Sequence, residues 1–149
     1  MSRSLRIALS LTVLVALTVG LASNALAGGR KVLDSTMAAL TTPGQVIDGV
    51  TAAGAPWSID EGRAMLFADG RLHVEVQGLI VTALGRNPAA TGKVRVSCNG
   101  APVAETATVP FSPAGDAEVD AVVTLPSPCF GPSVFFTSAG GSWFAVTGF

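Results

Sequence analysis

The sequence predicts an all-β fold: an antiparallel β-sandwich (Ig-like or similar) of about eight to ten short strands, following an N-terminal signal helix. Three observations point to it. Alternating apolar and polar runs recur at a spacing of about 8–12 residues. Gly, Pro and Asn punctuate those runs, with 17 Gly and 9 Pro in 149 residues. Beyond residue 27, no segment sustains the 3.6-residue period of an amphipathic helix.

Residues 1–27 read as a removable export signal. Arg3 and Arg6 supply a positive start, Ile7 to Leu21 is an apolar run, and Ala25 and Ala27 are the small residues that signal peptidase reads, so cleavage is expected between Ala27 and Gly28. The run of about 15 residues is shorter than the roughly 20 a spanning helix needs. No Cys follows it to carry a lipid. The mature chain, 28–149, is expected to be a single secreted domain that does not span the membrane. Losing Arg3 and Arg6 lowers nine basic residues to seven against ten acidic ones, a net charge of −3. That balance argues against nucleic acid and anionic lipid as partners.

Within 28–149, Lys31 to Ala39 and Val46 to Val50 are the weaker strand candidates, and the first would also suit a short helix. Residues 52–56 form a Gly/Ala loop. Runs 62–68 and 71–79 flank Asp69-Gly70, a hairpin signal whose favoured two-residue turn needs positive φ at both positions. In the second run Leu72, Val74 and Val76 face one way, and Arg71, His73, Glu75 and Gln77 the other. After a loop at 85–92, Val94, Val96 and Cys98 point inward, with Lys93, Arg95 and Ser97 outward. Asn99-Gly100 turns the chain into a strand over 103–109 that Pro110 stops. Val119, Ala121, Val123 and Leu125 share one face of the strand at 117–125. Pro126, Pro128 and Pro132 make 126–132 a loop. A last hairpin, 134–137 with 143–147, closes the chain.

Cys98 and Cys129 are the only cysteines. An even count in an exported chain reads as a disulfide. A redox pair would want Cys-x-x-Cys, and a metal site further Cys or His ligands.

The residues available for catalysis are few. His73, the only imidazole, lies mid-strand on the polar face, where a solvent-facing role is expected. Asp116, Glu118 and Asp120 alternate on one face, a solvated acidic row expected opposite Lys93 and Arg95. Asp60-Glu61 is turn chemistry, although paired carboxylates across a cleft also serve glycoside hydrolysis. Six of the nine aromatic residues follow Ser127. Phe135/Phe136 and Trp143/Phe144 put rings on both faces of the last hairpin, as in a central hairpin covered on both sides. The sharper alternative is an aromatic binding patch of Trp57, Phe135, Trp143 and Phe144.

Gly54-Ala55-Pro56-Trp57, Asp60 with Gly62-Arg63-Ala64, Asp69-Gly70-Arg71-Leu72, Gly78-Leu79, Ser127-Pro128-Cys129 and Trp143 to Gly148 give the chain a likeness. It resembles small exported β-sandwich proteins of unknown function from high-GC Gram-positive bacteria. It is more weakly similar to CHRD-type extracellular β domains, through the strand pair ending in Gly78-Leu79, without their usual His-x-His. Neither resemblance implies an activity.

The function expected is a secreted, non-enzymatic binding module of the cell envelope or exterior, without metal or cofactor, its partner an envelope glycan or protein. The alternatives are a small hydrolase working with carboxylates alone and a self-associating structural protein of the envelope.

Overall fold

The computed structural model describes residues 29–148. The signal helix and the Ala27–Gly28 cleavage site lie outside the described residues. Within them the chain is all-β, with no helix. Its strands are β1 (Lys31–Ala39), β2 (Val46–Ile47), β3 (Val50–Thr51), β4 (Trp57–Ser58), β5 (Glu61–Phe67), β6 (Arg71–Gln77), β7 (Ile80–Val81), β8 (Thr91–Cys98), β9 (Ala101–Glu105), β10 (Val109–Pro110), β11 (Ala117–Val122), β12 (Ser133–Ser138) and β13 (Trp143–Thr147).

In place of two free-standing sheets, one antiparallel hydrogen-bonded path runs β10-β8-β12-β13-β1-β5-β6-β11, with β9 also on β8. Strand β1 joins its halves. Lys31 to Thr36 pair with β5, and Met37 to Ala39 with β13. The ends of the path, β10 and β11, come together through the turn at 111–116, where the Ser112 amide donates to the Asp116 carbonyl at 2.9 Å. The sheet therefore curls back on itself. Its inner face carries Ala64, Leu66, Leu72, Val74, Val76, Val94, Val96, Val119, Val134 and Phe136, all buried.

The turns follow from glycine and asparagine chemistry. Asn99-Gly100 has positive φ at both residues, 57° and 76°, as a two-residue hairpin turn requires. Asp69-Gly70 does not: only Gly70 is left-handed, at 88°, and its amide donates to the Phe67 carbonyl at 2.9 Å. With Leu66 opposite Leu72, the loop is three residues long, 68–70, a type I turn followed by a left-handed glycine. The segment expected as one strand over 46–50 is instead a small hairpin, β2–β3, folded at Asp48-Gly49 with φ of 48° and 75°. Lys31–Ala39, open to a helical reading, is a strand. The strand expected over 103–109 is broken: β9 ends at Glu105, and Val109–Pro110 returns to β8 as a separate edge. Pro110, which lacks an N–H, is tolerated at such an edge.

The last hairpin is central, between β8 and β1. Phe136 lies opposite Val94 and Ala145 on the inner face, while Phe135 lies opposite Arg95 and Val146 on the outer one. The β2–β3 hairpin covers that outer face. Ser97, which points outward, is fully buried, and its hydroxyl donates to the Asp48 carboxylate. Ala52 bridges to Trp143, and the Ala53 amide donates to the Trp143 carbonyl at 3.0 Å.

Candidate functional site

The aromatic patch is not at the surface. Trp57, Phe135, Trp143 and Phe144 are all at most 5% exposed. Trp57 stacks on Phe144 with centroids 4.0 Å apart, and Phe135 packs against Trp143 at 6.3 Å. The cause is the double cover of the last hairpin, by the curled core on one side and by β2–β3 on the other. Among the described residues the exposed aromatic is Phe130, 69% accessible. It is held beside the Cys98–Cys129 disulfide (Cα–Cα 5.0 Å) by Asn99, whose backbone amide donates to the Phe130 carbonyl and whose side-chain Oδ1 accepts from the Phe130 amide.

The open surface lies on the other half of the sheet, on the outer face of β1, β5, β6 and β11. Period two on β6 turns Arg71, His73, Glu75 and Gln77 outward, and the register brings each a defined neighbour. Glu75 stands opposite Arg63 on β5 and Glu118 on β11, and His73 opposite Met65 and Asp120. The acidic row therefore faces His73 and Glu75, not Lys93 and Arg95, which both hold Glu105 on β9 at 3.0 and 3.1 Å. Asp116 leaves the row. It caps its own turn, accepting from the Gly78 amide at 3.1 Å and the Ser112 hydroxyl at 2.9 Å.

The cations of this face are already engaged. Lys31 and Arg63 both reach Asp34 at 2.7 Å, and Arg71 holds Asp69 at 2.9 Å while lying 4.4 Å over the Phe67 ring. The Lys31 and Arg63 contacts lower the Asp34 pKa below the usual carboxylate range. The Arg71 backbone amide, then its guanidinium, lower that of Asp69. Among the described residues, Glu61, Glu75, Glu118 and Asp120 are left with no Lys or Arg within 4.0 Å. Glu75 and Glu118, directly opposite, are like charges whose juxtaposition is destabilising.

His73 is not a free surface imidazole. Its Nδ1 lies 2.7 Å from Asp120 Oδ1 and 3.9 Å from Glu118 Oε1, and its side chain is 30% exposed. One period-two strand thus supplies the imidazole and its partner strand supplies both carboxylates. Elsewhere on this face, a shallow groove of about 410 Å³ is lined by Thr36, Asp60, Glu61, Arg63, Glu75 and Gln77. Sequence reasoning missed the His73–Asp120 pair, 47 residues apart, because only the β6–β11 register joins them. No family model matches the chain, and neither a curated protein nor a solved structure matches it.

Proposed function

We propose that the chain is an exported, non-enzymatic binding module of the kind its motifs resemble, its curled sheet packed sandwich-fashion. In this proposal the outer face of β1, β5, β6 and β11 meets a basic segment of an envelope protein. One observation carries this: the outer face of one half is covered by β2–β3, whereas the other is open and holds four carboxylates that have no Lys or Arg partner among the described residues. Unneutralised charge on an open sheet steers and selects an opposite partner. Export is supported by the leader motif and by the disulfide, a bond that persists in oxidising compartments. On this face a glycan is less well served, because stacking needs open rings and Phe67 lies under Arg71. Self-association through the β9 edge is opposed by Pro102, by Glu105 and by the irregular register at Val96/Ser97.

The test is capture from envelope extract by the mature chain beside a Glu75→Lys/Glu118→Lys variant, with titration of a synthetic Lys/Arg-rich peptide into both. Binding that is salt-sensitive and lost in the variant is expected. Equal binding by both chains would refute this face.

A carboxylate-only hydrolase is the second reading, because the groove collects Asp60, Glu61 and Glu75. All three are exposed, whereas a general acid kept protonated near neutral pH sits in a desolvated apolar pocket. Glycan cleavage by the mature chain, abolished in Glu75→Gln, would replace the binding proposal.

A further inference from the structure

We propose that His73, Glu118 and Asp120 form a binding site for a borderline divalent transition cation, zinc above all. The ligand set is mixed, one imidazole nitrogen and two carboxylate oxygens, and its donor atoms all lie within 4.8 Å of one another. Two donors each about 2.1 Å from one ion, in tetrahedral or octahedral array, sit about 3.0–3.4 Å apart. The observed 2.7 Å and 3.9 Å from His73 Nδ1 bracket that spacing. The adjustment falls on the carboxylates, since the Glu118 and Asp120 side chains are 61% and 72% exposed, while that of His73 is 30% exposed.

The charge around the site favours a cation as well. Glu75 stands directly opposite Glu118, so a third carboxylate adjoins the two of the set. Arg71, two residues before His73 on β6, has its guanidinium engaged by Asp69 and Phe67. A divalent ion would replace the His73–Asp120 hydrogen bond with two metal bonds and relieve the Glu75–Glu118 repulsion. Water completes the coordination, as in three-ligand protein sites. The imidazole selects against calcium and magnesium, which prefer all-oxygen shells. This inference is independent of the macromolecular partner, because its probe is the metal alone.

The experiment is calorimetric titration of the mature 28–149 chain with zinc chloride, with the His73 imidazole resonances followed by NMR. Expected is one zinc per chain, shifted His73 resonances, and affinity lowered about tenfold or more in each of His73→Ala, Glu118→Gln and Asp120→Asn. Asp34→Asn, on the same face, should bind as the parent does, and calcium should not compete. A His73→Gln variant with a parental thermal melt guards against a folding defect. Absence of saturable zinc binding, or binding retained in His73→Ala and His73→Gln, would overturn the site.

Discussion

The cover on both sides of the last hairpin has a measurable consequence. Phe136 is fully buried, 5.0 Å from the Phe111 ring and opposite Val94 and Ala145, so Phe136→Ala leaves a cavity between strands paired on both sides, which resist collapse. Such truncations cost about 3–5 kcal/mol, including the transfer of the lost ring atoms. The Phe111 contact contributes about 0.5–1.5 kcal/mol within that. With a urea slope of about 1.5 kcal/mol/M, a loss of about 4 kcal/mol lowers the unfolding midpoint by roughly 2–3 M. Phe130 is the internal control: it is 69% exposed, and Phe130→Ala should change stability by no more than about 0.5 kcal/mol. Urea titration of the oxidised mature chain, read by tryptophan fluorescence, measures both. Should Phe136→Ala not fold, Phe136→Leu gives the same ordering at a smaller loss. A Phe136→Ala cost under about 1 kcal/mol, or a Phe130→Ala cost above it, would refute the buried-hairpin account and restore a surface role to the C-terminal aromatics.

Replacing both Cys98 and Cys129 with Ala opens a loop spanning 31 residues, worth about 3.7 kcal/mol by chain entropy; a midpoint shift equivalent to under 1 kcal/mol would contradict this. Gly70→Ala would place its Cβ 1.9 Å from the Val123 carbonyl oxygen at a φ of 88°, whereas Gly85→Ala, at 63°, meets open space. Thermal melts should therefore show Gly85→Ala losing only the left-handed penalty of about 1–2 kcal/mol and Gly70→Ala losing distinctly more, and equal losses would count against the turn. Asp34, Asp69 and Glu105 are each held below their ordinary pKa, Glu105 through hydrogen bonds from Lys93 and Arg95. A depressed folded-state pKa stabilises above the unfolded value, and that contribution is lost as pH falls through the folded one. Stability should thus fall below about pH 4. The triple variant Asp34→Asn, Asp69→Asn, Glu105→Gln should fall less steeply, as urea midpoints from pH 5 to 2 would show.

Much of the fold was legible where the chain alternates for long enough. Residues 71–77 read correctly because seven alternating residues leave only one way to bury Leu72, Val74 and Val76. The Asp69-Gly70 hairpin was legible, but its turn type was not: the dipeptide fits both a two-residue turn and a three-residue loop, and the pairing of Leu66 with Leu72 selects the second. Asp48-Gly49 carries the same dipeptide as a true two-residue turn, yet strands of two residues are too short to show a period. The break at Glu105 was hidden because Thr106 satisfies β8 in another way, its hydroxyl accepting from the Val94 amide.

The candidate site was less legible, and for a topological reason. Alternation assigns each residue a face of its own strand but does not identify the neighbouring strand. Setting the acidic row at 116–120 against Lys93 and Arg95 was a choice of partner, and sheet order decided otherwise by placing β11 beside β6 and β9 beside β8. That order separates the charge. On the β8 side, Lys93 and Arg95 converge on Glu105, and the remaining outer face is closed by β2–β3. On the β6 side, Asp34 takes two cations and Asp69 a third, which among the described residues leaves His73 as the one basic side chain within 4.0 Å of Glu118 and Asp120. The same strand pairing that buries the aromatics therefore leaves the carboxylates exposed, which is why the site is sought on β6 and β11 and not at the aromatic C-terminus.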